Sequence, residues 1–379
     1  MTTAIALLAL TVWVWLLVGH GGFWLARERD SQALPPAPAR WPSVVAVVPA
    51  RDEADVIARS VGSLSRQDYP GDFRVVVVDD NSSDGTTAVA RGVGGNRIEV
   101  LAGKPLPGGW TGKLWAVSQG IEAAGSGNGG APDWLWLTDA DIEHAPATLA
   151  TLVRRGEGER RVLVSLMARL RCDTPAERAL IPAFVFFFQL LYPFGRVNRP
   201  GRTAGAAGGC MLVRREALER AGGVGAIRAA LIDDCAFGAL LKRQGPVWLG
   251  LTDRSVSIRP YDTADHVAAM IARSAYAQLD YSAFKLAGTI AGLALVYLAP
   301  PLLALFGDGP ARAAGLLAWA LMTLAFQPTL RFYRRSPLWG VVLPAIAAFY
   351  AGCTLLSAWQ YARGRGGLWK GRAQAAKGG

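Results

Sequence analysis

Four stretches of the chain stay apolar long enough to leave water. Residues 4–18 are interrupted only by Thr11, and the stretch continues through Gly19–Gly22 to Phe23, Trp24 and Leu25. That approaches the roughly 20 residues a bilayer crossing needs. Leu286–Phe306, broken by Pro300 and Pro301, Ala313–Leu330 and Leu338–Trp359 lie near the other end. Between them the pattern changes. Val44–Val48, Val75–Val78, Trp134–Leu137 and Val162–Met167 are short, apolar except for Ser165, and rich in β-branched or aromatic residues. A strand with one wet face alternates, whereas an unbroken apolar run fits a strand covered on both faces, as in a parallel sheet between helices. The pattern therefore predicts a membrane anchor over 1–26, an α/β domain with a mainly parallel sheet over 40–285, and about three membrane segments over 286–360. Leu180–Phe194 is also apolar, but Pro182 and Pro193 lie inside it and it is short. It reads either as a helix lying in the membrane interface or as a buried core helix.

Composition sharpens this division. Of 379 residues, 51% are hydrophobic, and the mean hydropathy is +0.24, as expected when part of a chain lies in lipid. No Lys or Arg precedes the first apolar run and no small-x-small cleavage site comes after it, so it reads as a retained anchor. Arg27 and Arg29 come next and predict a cytoplasmic location for the α/β domain beyond them. Leu34-Pro-Pro-Ala-Pro38 is a stiff linker. The net charge of +11 does not imply nucleic acid as a partner. The basic residues are scattered, with clusters at membrane flanks (Arg331, Arg334, Arg335; Arg363, Arg365), where anionic headgroups account for them. Four cysteines without a C-x-x-C pair and three histidines point away from a disulfide framework and from zinc.

In an α/β sheet of this kind ligands bind beyond the carboxyl ends of the strands. Here those ends are acidic. Pro49-Ala-Arg-Asp-Glu53 adjoins the first run, Asp79-Asp80-Asn81 the second, and Asp139-Ala-Asp141 the third. Asn81, Ser82, Ser83 and Asp84 can all cap a following helix, yet capping leaves two consecutive acids unexplained, and Asp80 is suited to accept hydrogen bonds from a base or ribose. Asp139 and Asp141 would be costly to keep close unless a cation neutralised them, and Mg²⁺ or Mn²⁺ shared with substrate phosphates fits. The bland alternative is a turn in which Asp141 caps a helix. Leu106-Pro-Gly-Gly-Trp-Thr-Gly-Lys113 opens a helix-like stretch whose first N–H groups, with Lys113, suit a diphosphate, although a plain loop explains it nearly as well. Asp233 and Asp234 precede another helix-like stretch, either as caps or with one as a general base whose pKa its neighbour raises. Ser126–Gly130 reads as a flexible loop.

Taken in order, P-A-R-D-E, V-D-D-N-S-S-D-G-T, G-K, D-A-D, G-G-C-M-L-V-R-R (208–215) and D-D resemble the family 2 glycosyltransferases of GT-A fold over about 40–260. The sequence around Leu106–Lys113 and Arg273–Asp280, with the apolar flanks, resembles the hopanoid-associated branch and is similar also to ceramide glucosyltransferases. The resemblance implies a membrane-bound inverting transferase at the inner face of a bacterial membrane, with a Rossmann-like catalytic domain and N- and C-terminal transmembrane helices. It would move a sugar from a nucleotide-sugar, UDP-linked donor to a lipid hydroxyl such as that of a hopanoid. Position by position, it implies Pro49, Arg51, Glu53, Asp79 and Asp80 on the nucleotide side, with Asp80 at the uridine and Lys113 near the donor. Asp139 and Asp141 would serve the metal-diphosphate group, and Asp234 beside Asp233 would be the base. Where related enzymes carry Q-x-x-R-W, this chain reads Met270-Ile-Ala-Arg273-Ser274, which disfavours a processive synthase. Polyprenyl phosphate as acceptor, or a non-catalytic scaffold, are the alternatives.

Overall fold

The computed structural model describes residues 1–126, 130–369 and 372–373; the centre of the predicted Ser126–Gly130 loop lies outside these. The chain divides into two compact units. One comprises Glu28–Arg171, Arg196–Pro260 and the residues from Leu368, the other Met1–Arg27, Cys172–Gly195 and Tyr261–Gly367.

The first unit is built on eight strands: β1 (Val44–Ala50), β2 (Phe73–Asp79), β3 (Ile98–Ala102), β4 (Trp134–Leu137), β5 (Ile142–His144), β6 (Leu163–Arg169), β7 (Met211–Arg214) and β8 (Val247–Ser257). Their order in the sheet is β3-β2-β1-β4-β7-β6-β8-β5. The first four are mutually parallel, β7 runs antiparallel between β4 and β6, and β5 is antiparallel to β8 at the edge. The sheet is thus mixed and mostly parallel. Every residue of β1 and β4 is buried, the outcome expected when both faces are covered and the source of their unbroken apolar runs. One cover is the helix Gly112–Ser126. It lies so close over β1 and β2 that a Cβ on Gly120 would stand 2.4 Å from Val47 and 3.1 Å from Val78, so a side chain there would push the helix off the sheet.

The four strands that the apolar runs predict are β1, β2, β4 and β6; β1 and β2 extend beyond their runs, β4 matches its run, and β6 starts one residue later and ends two residues later than its run. The other four escape that pattern for physical reasons. β3 is half-exposed along its length, β5 is only 3 residues long, β7 ends in Arg214 after three apolar residues, and β8 carries Asp253 and Arg254 in its middle.

The second unit is helical. Among the described residues, three helical stretches are long and apolar enough to cross a membrane: Pro175–Val197, Ala283–Phe306 and Gly309–Phe332. This set differs from the expected one. The first helix, Thr2–Val18, has 17 residues, about 26 Å of rise against a hydrocarbon core of roughly 30 Å. Leu343–Ala362 carries Thr354, Ser357 and Gln360 within it, which dilute its hydropathy. Pro175–Leu191, in contrast, starts upstream of the apolar run through a capping box between Thr174 and Glu177 and is therefore longer than the run suggests. Pro300 and Pro301 do not end their helix. A π turn at Ala294–Leu298 precedes them, and the carbonyl of Val296, which Pro300 cannot serve for want of an N–H, accepts instead from the Trp13 indole at 2.8 Å.

Candidate active site

The parallel registers pair Ala50 with Asp79 and Asp79 with Ala102, so β1, β2 and β3 end level. The Val44 N–H donates to Asp72 on the β2 side, so even-numbered residues of β1 face β2 and odd ones face β4. Pro49 is odd, and the last pair on that side is Val47 with Leu137. Its missing N–H thus falls beyond the ladder, where proline leaves no donor gap. The loops after β1 and β2 both turn through left-handed residues, Asp52 (φ 49°) and Asn81 (φ 56°), types that tolerate this conformation. They are laced together. Ser82 Oγ accepts from Asp52 N (2.9 Å), Thr86 Oγ1 from Glu53 N (2.8 Å), Asp84 from Ala54 N (2.9 Å), and Asp52 from Ser83 N (2.8 Å). Arg51 clamps the pair by donating to the Asp80 carbonyl at 2.5 Å and the Asn81 carbonyl at 3.2 Å.

The adjacent acids of β2 part ways. The Asp79 carboxylate accepts from Ser82 N at 2.9 Å, from Ser82 Oγ at 2.5 Å and from Thr87 Oγ1; it holds the turn. Asp80 is buried, with Arg51 3.8 Å from its carboxylate.

A second cluster forms where β4 ends. Lys113, in the first turn of the helix Gly112–Ser126, lies 2.7 Å from Asp139 and 2.9 Å from Asp233. Burial would depress its ammonium, but the two carboxylates outweigh it and raise the pKa above the usual lysine range. Asp233 and Asp234 open the helix Asp233–Lys242, whose N-cap is Ile232 without a side-chain cap; the plain capping reading does not describe either acid. Asp234 instead accepts from Gly208 N at 3.1 Å and from Cys235 N at 2.7 Å. Burial and the Asp233 charge push its pKa up to about 6, against the opposing pull of Lys113 and of the two N–H groups. Gly208 lies against this cluster: a Cβ there would stand 3.4 Å from the Asp234 Cβ and from Lys113 Nζ, in van der Waals contact with both.

Asp141 pairs with Arg259, just past β8, at 2.6 Å, and Arg259 reaches Glu53 at 2.5 Å. The Ile258 N–H bonds the Asp141 carbonyl at 2.9 Å, one step beyond the Ile142–Ser257 pair, and fixes this segment beside the start of β5. Arg259 was not legible as a site residue, because it belongs to no motif and comes after a strand the apolar pattern hides. His144 was missed as well. Thr138 donates to the Gly209 carbonyl at 2.8 Å, so His144 Nε2–H donates to Thr138 Oγ1 at 2.9 Å and Nδ1 accepts from Ser255 at 2.9 Å. Burial lowers the His144 pKa to about 3. A neutral imidazole thus ties Thr138, the residue before Asp139, to Ser255 of β8, and the Thr138 hydroxyl carries the link on to Gly209.

The cation that adjacent acids at β4 need is met from within the protein, by Lys113 for Asp139 and Arg259 for Asp141. The balance is still acidic: Glu53, Asp80, Asp139, Asp141, Asp233 and Asp234 stand against Arg51, Lys113 and Arg259. Among the described residues no group of three or more His, Cys, Asp or Glu side chains is placed to hold a metal ion. Asp141 Oδ1 has no hydrogen-bond partner there, since Arg259 takes Oδ2. One or two carboxylates plus phosphate oxygens is the ligand set Mg²⁺ or Mn²⁺ accepts, and Asp139 and Asp141 fit it on those terms.

Residues 45–222 match the model of glycosyl transferase family 2; Asp233, Asp234 and Arg259 lie beyond the matched span. No curated protein matches the chain. Among solved structures it is similar to the mannosyltransferase PcManGT from Pyrobaculum calidifontis in complex with GDP-Man and Mn²⁺, at 20% identity over 95% of this chain and 99% of that one, TM-score 0.57. Mannosyl-3-phosphoglycerate synthase from Rubrobacter xylanophilus aligns at 18% identity over 67% of this chain and 82% of that one, TM-score 0.42. Glucosyl-3-phosphoglycerate synthase from Mycobacterium tuberculosis in complex with Mn²⁺ and UDP-glucose aligns at 22% over 60% and 75%, TM-score 0.38. At such identity the first likeness shows the fold. With a mixed, mostly parallel sheet of GT-A type and a match to the glycosyl transferase family 2 model over residues 45–222, this chain is a glycosyltransferase enzyme.

Proposed function

We propose that the enzyme is a membrane-bound inverting transferase that passes a sugar from a nucleotide-sugar donor, a UDP-sugar in the first instance, to the hydroxyl of a lipid. The observation that carries this reading is Asp234: a partly buried carboxyl with a pKa of about 6, one residue from the Asp233–Lys113–Asp139 chain. A base of that pKa is ionised at neutral pH yet still takes up a proton readily. GDP-Man and Mn²⁺ in the Pyrobaculum calidifontis complex support a sugar nucleotide and a divalent cation here. The three long apolar helices support a lipid acceptor. The sequence of Leu106–Lys113 and Arg273–Asp280 supports a hopanoid as that lipid. Arg27 and Arg29 after the first helix favour a catalytic domain in the bacterial cytoplasm, where nucleotide sugars are made.

In this mechanism Asp80 receives the base and ribose, with Arg51 holding its loop. Asp79 and Pro49 shape the strand ends and Glu53 anchors Arg259. Bound through Asp139, Asp141 and the donor's diphosphate, a divalent cation would neutralise charge on the leaving group. Each Asp234 oxygen keeps a lone pair beyond its N–H bond, so the carboxylate can take the acceptor's proton. The acceptor oxygen bonds the anomeric carbon as the carbon–diphosphate oxygen bond breaks, and the nucleoside diphosphate leaves. A single displacement inverts the anomeric centre.

The test is to incubate the purified full chain with Mn²⁺, a bacterial lipid extract and labelled UDP- or GDP-sugars. Label extracted into solvent, matched by released nucleoside diphosphate and stable to mild acid, is expected. Acid-labile label would identify a polyprenyl phosphate product, and no transfer from any donor would overturn the reading.

A further inference from the structure

We infer that Arg259 is a built-in counter-ion that holds back divalent-cation binding at Asp141 until a diphosphate is present. The inference rests on the metal role proposed above for Asp139 and Asp141. Both carboxylates carry one of the protein's own cations, Lys113 at 2.7 Å from Asp139 and Arg259 at 2.6 Å from Asp141. Arg259 is not a loosely held surface arginine. Buried Glu53 anchors its other arm at 2.5 Å, and the Ile258–Asp141 backbone bond fixes the segment that carries it.

A divalent cation approaching the free enzyme therefore meets two positive groups already seated on its ligands, and must displace them or bind beside them. The diphosphate of a donor reverses that balance. It brings several negative charges, offers oxygens to Lys113 and to the planar fork of Arg259, and adds ligands for the metal. Metal and diphosphate should then bind cooperatively, each tightening the other by the same factor. Arg259 acts here as a positioning residue that sets this coupling, whereas Lys113 remains part of the donor site. The practical consequence is that the free enzyme leaves its acidic cluster without metal and assembles the charged site when the donor arrives.

The experiment is a Mn²⁺ titration of the full chain in detergent, following free Mn²⁺ by electron paramagnetic resonance with and without UDP. For the wild type, UDP should tighten Mn²⁺ binding at least about tenfold. R259Q should bind Mn²⁺ without UDP about tenfold more tightly than wild type, shrinking the effect of UDP, while R259K, which keeps the charge, should stay near wild type. Mn²⁺ binding by folded R259Q no tighter than wild type would overturn the inference. D141N distinguishes the two levels. If D141N binds Mn²⁺ with UDP as the wild type does, the metal reading has failed; if it loses Mn²⁺ while R259Q is unchanged, only the Arg259 inference has failed. Should R259Q not fold by circular dichroism, the wild type decides: equal Mn²⁺ affinity with and without UDP contradicts the inference, and a coupling of about tenfold or more supports it.

Discussion

Replacing Asp234 by Asn separates chemistry from architecture at this site. The side chain keeps its size, but an amide cannot take the acceptor's proton, and general-base contributions run at about 10²–10⁴-fold, or roughly 3–5 kcal/mol of barrier. A stability cost accompanies the change. Both carboxylate oxygens accept backbone N–H groups, from Cys235 and Gly208, so the amide nitrogen must face one donor. A buried donor left unsatisfied costs about 1–3 kcal/mol, which lowers the melting temperature without emptying the donor site. Turnover at saturating donor should therefore drop at least about 100-fold while UDP affinity by calorimetry stays close to wild type. The pH profile adds an independent arm. Because the Asp234 pKa is raised to about 6, wild-type turnover falls as pH drops through that value and the base becomes protonated. The Asn variant should show a flat, low profile over the same range. Turnover above about a tenth of wild type, or an unchanged acid limb in the variant, would refute the base assignment.

Lys113→Met should leave Asp139 and Asp233 without their shared cation, weaken UDP binding about tenfold or more, and destabilise at the lower end of the roughly 3–5 kcal/mol typical of a broken buried pair. Since Lys113 pulls the Asp234 pKa down, the acid limb of residual activity should also move to higher pH; a limb that stays in place contradicts the geometry. His144, held neutral with a pKa of about 3, makes the fold acid-sensitive. Below the unfolded value near 6.5 the unfolded chain gains a proton that the native state refuses, so stability should fall by on the order of 1.4 kcal/mol per pH unit from there down to about 3. His144→Asn, compared by urea unfolding at several pH values, should lose that slope. Trp13→Phe removes the donor to the Val296 carbonyl and should cost about 1–3 kcal/mol in thermal unfolding; an unchanged melting temperature contradicts the repair of the proline break.

The sheet was legible where strands are buried on both faces, because there burial and sequence coincide: β1, β2, β4 and β6 contain the apolar runs. It was illegible where length or exposure broke that link, as with half-exposed β3 and the charged middle of β8. The acids of the site could be read because strand ends are where α/β sheets bind ligands, and the structure sets Lys113, Asp139, Asp233 and Asp234 together. What sequence cannot supply is pairing across distance. Arg259 reaches Asp141 and Glu53 from residues far apart in the chain, and the work of Asp79 in holding its own turn looks in sequence the same as that of Asp80. Helix length was misjudged wherever a cap lies outside the apolar run, as at Thr174.

The central claim is that the carboxyl ends of β1, β2 and β4 bind the donor's diphosphate through a divalent cation. Crystals of the full chain grown with UDP and Mn²⁺, measured at the manganese edge, test it most directly. The account predicts an anomalous peak within coordination distance of Asp141 Oδ1 and the Asp139 carboxylate, with the uridine beside Asp80 and Arg259 no longer on Asp141. A UDP molecule seated elsewhere, or manganese absent from these carboxylates with UDP in place, would contradict it.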